Sequence, residues 1–315
     1  MTSHASGMKD YNIQLPKSNW KDIVTEDDWI RLHTITLAVA RPNTGKTASL
    51  STMLKIHHTQ GALNRLIIVS PTFDNNAFYF KGLPIDEEDD VVEPDEYTCQ
   101  WIVDEIQQMA DEYDDYHEKI TLWKLLEKQL KSNIPISEIT DELLIQFLDA
   151  DGYLILEKPT YKYSHLNHPP IVHILFDDVQ GTPVFARGKK SVDGVRLKCI
   201  DDIVIKHRHL GKRKNKQQSL GCSLYFACQT YKSGNNGLPR CIRGCIKHLL
   251  VFKNKDEKSL IEIAEEVGGE VTKEQFFDLF ERAVQTDHDF LFIDLFPKKN
   301  HISMFRRNFT EFLLP

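Results

Sequence analysis

No apolar run in the 315 residues approaches the roughly 18–20 that cross a bilayer, so no membrane span is expected. The first fourteen residues (MTSHASGMKDYNIQ) hold no apolar core, which argues against a secretory leader; the first seven read as a tail outside the fold. Cysteine is sparse. Six residues (Cys99, Cys199, Cys222, Cys228, Cys241, Cys245) make no disulfide scaffold at this length. Cys241 and Cys245 stand four apart with His248 close behind, yet a closed zinc site needs four ligands and no second pair stands at matching spacing. Reduced, intracellular thiols are the expectation. There is no internal repeat and no low-complexity tract.

A basic excess is missing as well. The 39 Lys and Arg against 46 Asp and Glu leave a net −7, which argues against a nucleic-acid partner until the charges are mapped. Residues 86–118 carry 15 acids and no Lys or Arg, so the rest of the chain sums to +8. Residues 187–216 carry 11 Lys and Arg against 3 Asp. A polyanion partner therefore stays open.

What is present is ordinary folded material, 41% hydrophobic and 27% charged. Short apolar runs at 35–40, 66–70, 171–176, 223–228, 248–252, 290–295 and 301–306 have strand length. Helical patterns lie between them, at 48–58, about 258–266 and 274–284. This alternation predicts an α/β fold with a mostly parallel sheet covered on both faces. Ile102, Ile106, Met109, Tyr113, Tyr116, Ile120 and Trp123 step by 4, 3, 4, 3, 4, 3. They predict a helix with one apolar seam and an acidic back, packed on its own domain, with helical pattern running on to about 149. The expected organisation is an irregular lead-in at 1–33, a nucleotide-binding domain at 34–255 with an acidic helical insertion at about 86–168, and a small extension at 256–315.

The sharpest motif is Ala40-Arg41-Pro42-Asn43-Thr44-Gly45-Lys46-Thr47, set between a strand and a helix that continues through Ala48. It matches the phosphate-binding loop G-x-x-x-x-G-K-[ST] except at its first position. In such a loop Arg41 to Ala48 wrap the phosphates with backbone N–H groups at a helix N-terminus. Lys46 reaches the β/γ oxygens and Thr47 offers a hydroxyl to Mg²⁺. Ala40, where glycine is usual, fits only with negative φ. Asn43 is the non-glycine residue best suited to the left-handed region.

The run 171–176 delivers Asp177 and Asp178 at its end, the form of a Walker B motif. Asp177 is expected to hold Mg²⁺ with Thr47, and Asp178 to orient or deprotonate the attacking water. Gln229 ends the 223–228 strand and is expected beside Lys46 and Asp177. The separation of 131 positions from Lys46 to Asp177 marks the acidic insertion as an elaboration of this chain. Three other readings stay open: a nucleoside or nucleotide kinase, a nucleotide-switched assembly protein without significant turnover, and, least of all, a nuclease-bearing terminase. The last suffers because Asp278, Asp287, Asp289 and Asp294 form no clear carboxylate cluster.

Gln229-Thr230-Tyr231-Lys232, then Leu238-Pro239-Arg240-Cys241-Ile242-Arg243, then the run 248–252, resemble a succession found in viral genome-packaging ATPases of the FtsK–HerA superfamily. That group includes the poxvirus-type enzymes and those of virophages and polinton-like viruses. The Arg208-His209 pair and the Asp-Asp form of Walker B match it too, and the resemblance covers roughly 34–255. It implies a RecA-like ATPase using ATP and Mg²⁺ that forms a homo-oligomeric ring and moves double-stranded DNA into a preformed capsid. It also implies capsid or portal partners and a place in the host cytoplasm, in a viral factory or with the virion. An arginine passed between subunits would stabilise the transition state; Arg243 and Arg208 stand ahead of Arg240 for that role. Residues 206–216, with six Lys and Arg and no acid, are the expected DNA-backbone contact.

Overall fold

Nine strands form in the computed structural model, which describes residues 25–26, 29–186, 188–191, 193–214, 218–232, 238–254, 257–267 and 271–315. They are β1 (Ile35–Val39), β2 (Arg65–Val69), β3 (Val91–Val92), β4 (Val172–Asp177), β5 (Cys222–Cys228), β6 (His248–Phe252), β7 (Phe290–Asp294), β8 (Phe305–Arg307) and β9 (Glu311–Leu313). All except β3, β8 and β9 bury every residue, as strands covered on both faces must. They join in one sheet in the order β3-β2-β4-β5-β1-β6-β7-β8-β9. The pairs from β3 through β6 are parallel, and β7, β8 and β9 close the far side antiparallel. This is the mostly parallel sheet expected, and the strands of residues 256–315 continue it.

The helices are α1 (Lys46–Thr59), α2 (Phe73–Asn76), α3 (Thr98–Lys131), α4 (Asp141–Leu144), α5 (Ile200–Lys206), α6 (Arg240–Cys245), α7 (Glu257–Val267) and α8 (Lys273–Ala283). Side chains alternate across each strand, so two cores result. On one face Ala38, Ile68, Leu175, Tyr225 and Leu250 meet Leu50, Met53 and Leu54 of α1. On the other Leu37, Ile67, Ile174, Phe226 and Leu249 meet Ile102 and Ile106 of α3, Ile203 of α5, Ile242 of α6, Ile263 of α7 and Leu279 of α8.

The insertion is carried by α3, 34 residues long. Its predicted seam is real: Ile102, Ile106, Met109, Tyr113 and Ile120 are buried, while Tyr116 and Trp123 are half-buried. The helical pattern does not continue unbroken to 149. Asn133 adopts φ 56 and Pro135 follows, which ends α3 at Lys131 and leaves only α4 and short 3-10 turns beyond. There Leu126, Ile139 and Phe147 make a small core of their own. Of the lead-in, residues 1–24, 27 and 28 lie outside the described residues; Trp29, Ile30 and Leu32 are buried.

Candidate active site

Register aligns the chemistry. β5 lies between β1 and β4, with Val39 opposite Cys228 and Asp177 opposite Ala227. The loop after β1, the acids ending β4 and Gln229 after β5 thus share the carboxyl edge of the sheet, where open α/β sheets bind ligands.

The loop has the expected backbone. Gly45 takes φ 97 and Asn43 takes φ 62, both left-handed. Ala40 has no positive φ, and its side chain is fully buried against the α1 face, so the missing glycine costs the turn nothing. Its N–H donates to the Cys228 carbonyl at 3.1 Å, tying the loop's start to β5. Arg41, Pro42 and Asn43 are exposed, and Thr44 Oγ1 donates to the Arg41 carbonyl at 2.8 Å. Lys46, Thr47 and Ala48 open α1, where the first-turn N–H groups have no partner within the helix. Lys46 is 6% exposed and donates through Nζ to the carbonyls of Ala40 (2.9 Å) and Arg41 (3.0 Å). Burial lowers its pKa, opposed by the charges of Asp178 and Asp177.

Across 130 residues of sequence, Thr47 Oγ1 donates to Asp177 at 3.1 Å to Oδ1 and 3.2 Å to Oδ2. Asn76 Nδ2 reaches the same carboxylate at 3.4 Å. Burial, then the charge of Asp178, pushes the Asp177 carboxyl up to about 6, against the Thr47 hydrogen bond and the Lys46 charge. Asp178 is left-handed at φ 52, and its Oδ1 is buried without a hydrogen-bond partner. A hydroxyl and two carboxylates facing a lysine are hard oxygen donors of the kind Mg²⁺ prefers, so the residues fit that ion. The orphaned oxygen of Asp178 fits a group that brings its own hydrogen, such as water.

Gln229 is exposed at the strand end, and its N–H donates to Gln180 Oε1 at 2.7 Å. Neither arginine ranked first joins these residues. Arg243 is bound within its own chain: it donates to the Leu238 carbonyl at 2.8 Å, pairs with Glu266 at 3.3 Å and lies over the Tyr231 ring. Arg208 is exposed in a turn packed between the strand starts. His207 Nε2 lies 3.1 Å from the His33 carbonyl oxygen, and Gly221 N–H donates to the Leu210 carbonyl at 3.0 Å. That places Arg208 at the opposite edge of the sheet, about 17 Å or more of strand from the loop.

The basic stretch 206–216 packs in part against the acidic helix. Arg213 pairs with Asp114 of α3 at 2.6 Å and lies over the Tyr113 ring, and Lys214 pairs with Asp115 (2.7 Å) and Glu118 (2.8 Å). Gln107 binds the Lys212 backbone at both its N–H and its carbonyl. Lys206, Arg208 and Lys212 remain exposed; Lys216 lies outside the described residues. Cys241, Cys245 and His248 are not gathered for a metal: Cys241 hydrogen-bonds Asp201, and His248 lies between Thr34, Thr36 and Asp294.

Two residues escaped the sequence reading. Asn76 comes from α2, after β2. His288, before β7, sets Nδ1 3.4 Å from the Thr44 carbonyl oxygen and against Gly45. Neither belongs to a motif.

No protein-family model and no curated protein matches the sequence. Among solved structures, the chain is similar to the genome-packaging NTPase B204 of Sulfolobus turreted icosahedral virus 2 in complex with sulfate, at 11% identity and TM-score 0.42 over 83% of this chain and 91% of that one. It is similar to the same NTPase in complex with ATP-γS at 13% identity and TM-score 0.38, over 84% and 93%. It is also similar to B204, the DNA-packaging ATPase of Sulfolobus turreted icosahedral virus, at 11% identity and TM-score 0.41, over 84% and 94%.

Proposed function

We propose that this chain hydrolyses ATP at the carboxyl edge of β1, β5 and β4 and, as a homo-oligomeric ring, couples that hydrolysis to moving double-stranded viral DNA into a preformed capsid. One observation carries the hydrolytic part: Thr47 and Asp177 meet at 3.1 Å beside an Asp178 whose Oδ1 is buried without a partner. The DNA and capsid part rests on the motif resemblance through Gln229, Leu238-Pro239 and Arg243.

The loop 41–48 would receive the triphosphate on the free N–H groups opening α1. Lys46 would exchange the carbonyls of Ala40 and Arg41 for phosphate oxygens, trading two neutral hydrogen bonds for charge-assisted ones. Thr47 and Asp177 would hold Mg²⁺, which when bound neutralises charge on the phosphates. Asp178 orients the attacking water and accepts its proton, with Gln229 facing the same water or the γ-phosphate. Arg208 and Arg240 are both exposed, and with Arg243 they remain the candidates to reach a neighbouring subunit's nucleotide. Lys206 and Lys212 are left for a DNA backbone, since Arg213 and Lys214 are neutralised by α3.

ATP turnover with and without double-stranded DNA, at two salt concentrations, tests the motor reading. Turnover should rise with DNA, and the rise should shrink at higher salt as counterion release weakens binding. Phosphate transfer to a small acceptor with no response to DNA would favour a kinase. ATP binding without turnover would favour an assembly switch.

A further inference from the structure

Gln180 stands two residues beyond Asp178, on the loop leaving β4. Its side-chain oxygen accepts the N–H of Gln229 at 2.7 Å and of Thr230 at 3.2 Å. Its amide nitrogen donates to the Thr230 carbonyl at 3.0 Å and to Thr230 Oγ1 at 3.3 Å. Because backbone N–H groups only donate, they fix which end of the amide is oxygen. The β4–β5 ladder closes with Asp177 opposite Ala227, plus one bond from Asp178 N–H to the Ala227 carbonyl at 3.3 Å. Past that point the Gln180 amide takes the place of a peptide group and carries the pairing on beyond Cys228.

Asp178 sits inside this arrangement. A non-glycine residue at φ 52 costs of order 1 kcal/mol and persists only where its surroundings over-determine it. On one side Asp177 is fixed by Thr47 and Asn76; on the other Gln180 is fixed by Gln229 and Thr230. The same amide fixes the backbone that carries Gln229.

We infer that Gln180 is a positioning residue that sets the Asp178 carboxylate and Gln229 at a working separation, and so places the attacking water between them; this rests on the hydrolytic reading above. Gln180 need not touch nucleotide. Removing it leaves the phosphate loop and Thr47 in place while loosening the water site.

The test compares wild type, Lys46→Ala, Gln180→Ala and Gln180→Glu by steady-state turnover of Mg²⁺–ATP and equilibrium binding of ATP. Gln180→Ala should lose about 10²-fold in kcat, the cost of a misplacement near 1 Å. Its ATP affinity should stay within about threefold, since the lost interaction acts on the transition state. Gln180→Glu keeps the acceptor for Gln229 and Thr230 but, when ionised, cannot donate to the Thr230 carbonyl. Its kcat should fall below wild type while its ATP affinity stays within about threefold. Wild-type kcat in Gln180→Ala overturns the inference. So does an equal fall in kcat and ATP affinity. If Gln180→Ala does not fold, Gln180→Glu decides: wild-type kcat in that variant, or an equal fall in its kcat and ATP affinity, overturns the inference. Undiminished turnover by Lys46→Ala instead sinks the hydrolytic reading, which the Gln180 variants leave untouched.

Discussion

Asp177 must be ionised to face a cation, and its surroundings make that conditional. Burial and the neighbouring Asp178 push its carboxyl up to about 6, so a proton competes with the cation in mildly acid solution. Turnover should hold above pH 7 and fall as pH drops through 6, with apparent Mg²⁺ affinity falling in parallel. A profile flat down to pH 5 contradicts the role given to Asp177. His288 makes a second case. With Nδ1 at the Thr44 carbonyl, it steadies the loop from outside the motif. His288→Ala should raise KM for ATP several-fold and leave kcat near wild type, the pattern of lost uniform binding. The loop and the acids were legible because each is a local strand-to-turn signal, down to Asn43 in the left-handed region. His288 was not, because 244 residues separate it from Thr44 and only the sheet order brings them together.

Among the elements, α3 does most to change the reading of the chain. The fold sets part of two oppositely charged segments, 86–118 and 187–216, against each other. Asp114 is 8% exposed and takes the Arg213 guanidinium at 2.6 Å and the Lys214 N–H at 2.7 Å. Asp114→Asn should cost about 1–3 kcal/mol, the price of leaving partly buried donors poorly satisfied, read as a lower Tm or denaturant midpoint. The same variant frees the Arg213 guanidinium, while Lys214 stays paired with Asp115 and Glu118, so non-specific DNA binding should tighten. Weaker DNA binding would mean that α3 and residues 206–216 do not compete in this way. No periodicity rule could reveal the pairing, since a helical acid and a loop arginine 99 residues apart share no pattern. The break after Lys131 was legible in Asn133 and Pro135. Arg243 is tied to Glu266, Tyr231 and Leu238, so Arg243→Ala should lower thermal stability. Lost turnover with ATP binding kept would support the trans-acting role that the motif resemblance implies.

At the scale of the whole molecule, stability carries the mark of buried histidines. Burial holds His57 and His248 down at about 3 and His33 at about 4. They stay neutral in the folded chain while the unfolded chain protonates them near 6.5. Folded pKa values lie below unfolded ones, so stability is full above pH 6.5 and falls as pH drops toward 4. The fall is about 1.4 kcal/mol per unit for each histidine. Asp177 and Asp294, both raised in the folded state, oppose this, but two carboxyls against His33, His57, His173, His207 and His248, all lowered, do not reverse the sign. Denaturant midpoints measured from pH 7.5 to 4.5 should decline steadily; a rise would contradict the neutral buried histidines. The sheet itself was largely legible, from apolar runs of strand length. Its order was not, because parallel neighbours meet through crossovers that leave no local trace, as with β5 between β1 and β4. The central claim is that this one edge hydrolyses ATP. The most direct measurement is phosphate release from Mg²⁺–ATP by wild type, Lys46→Ala and Asp178→Asn, each shown folded by circular dichroism. Wild type should turn over and both variants should not, whereas turnover by either variant at the wild-type rate would contradict the account.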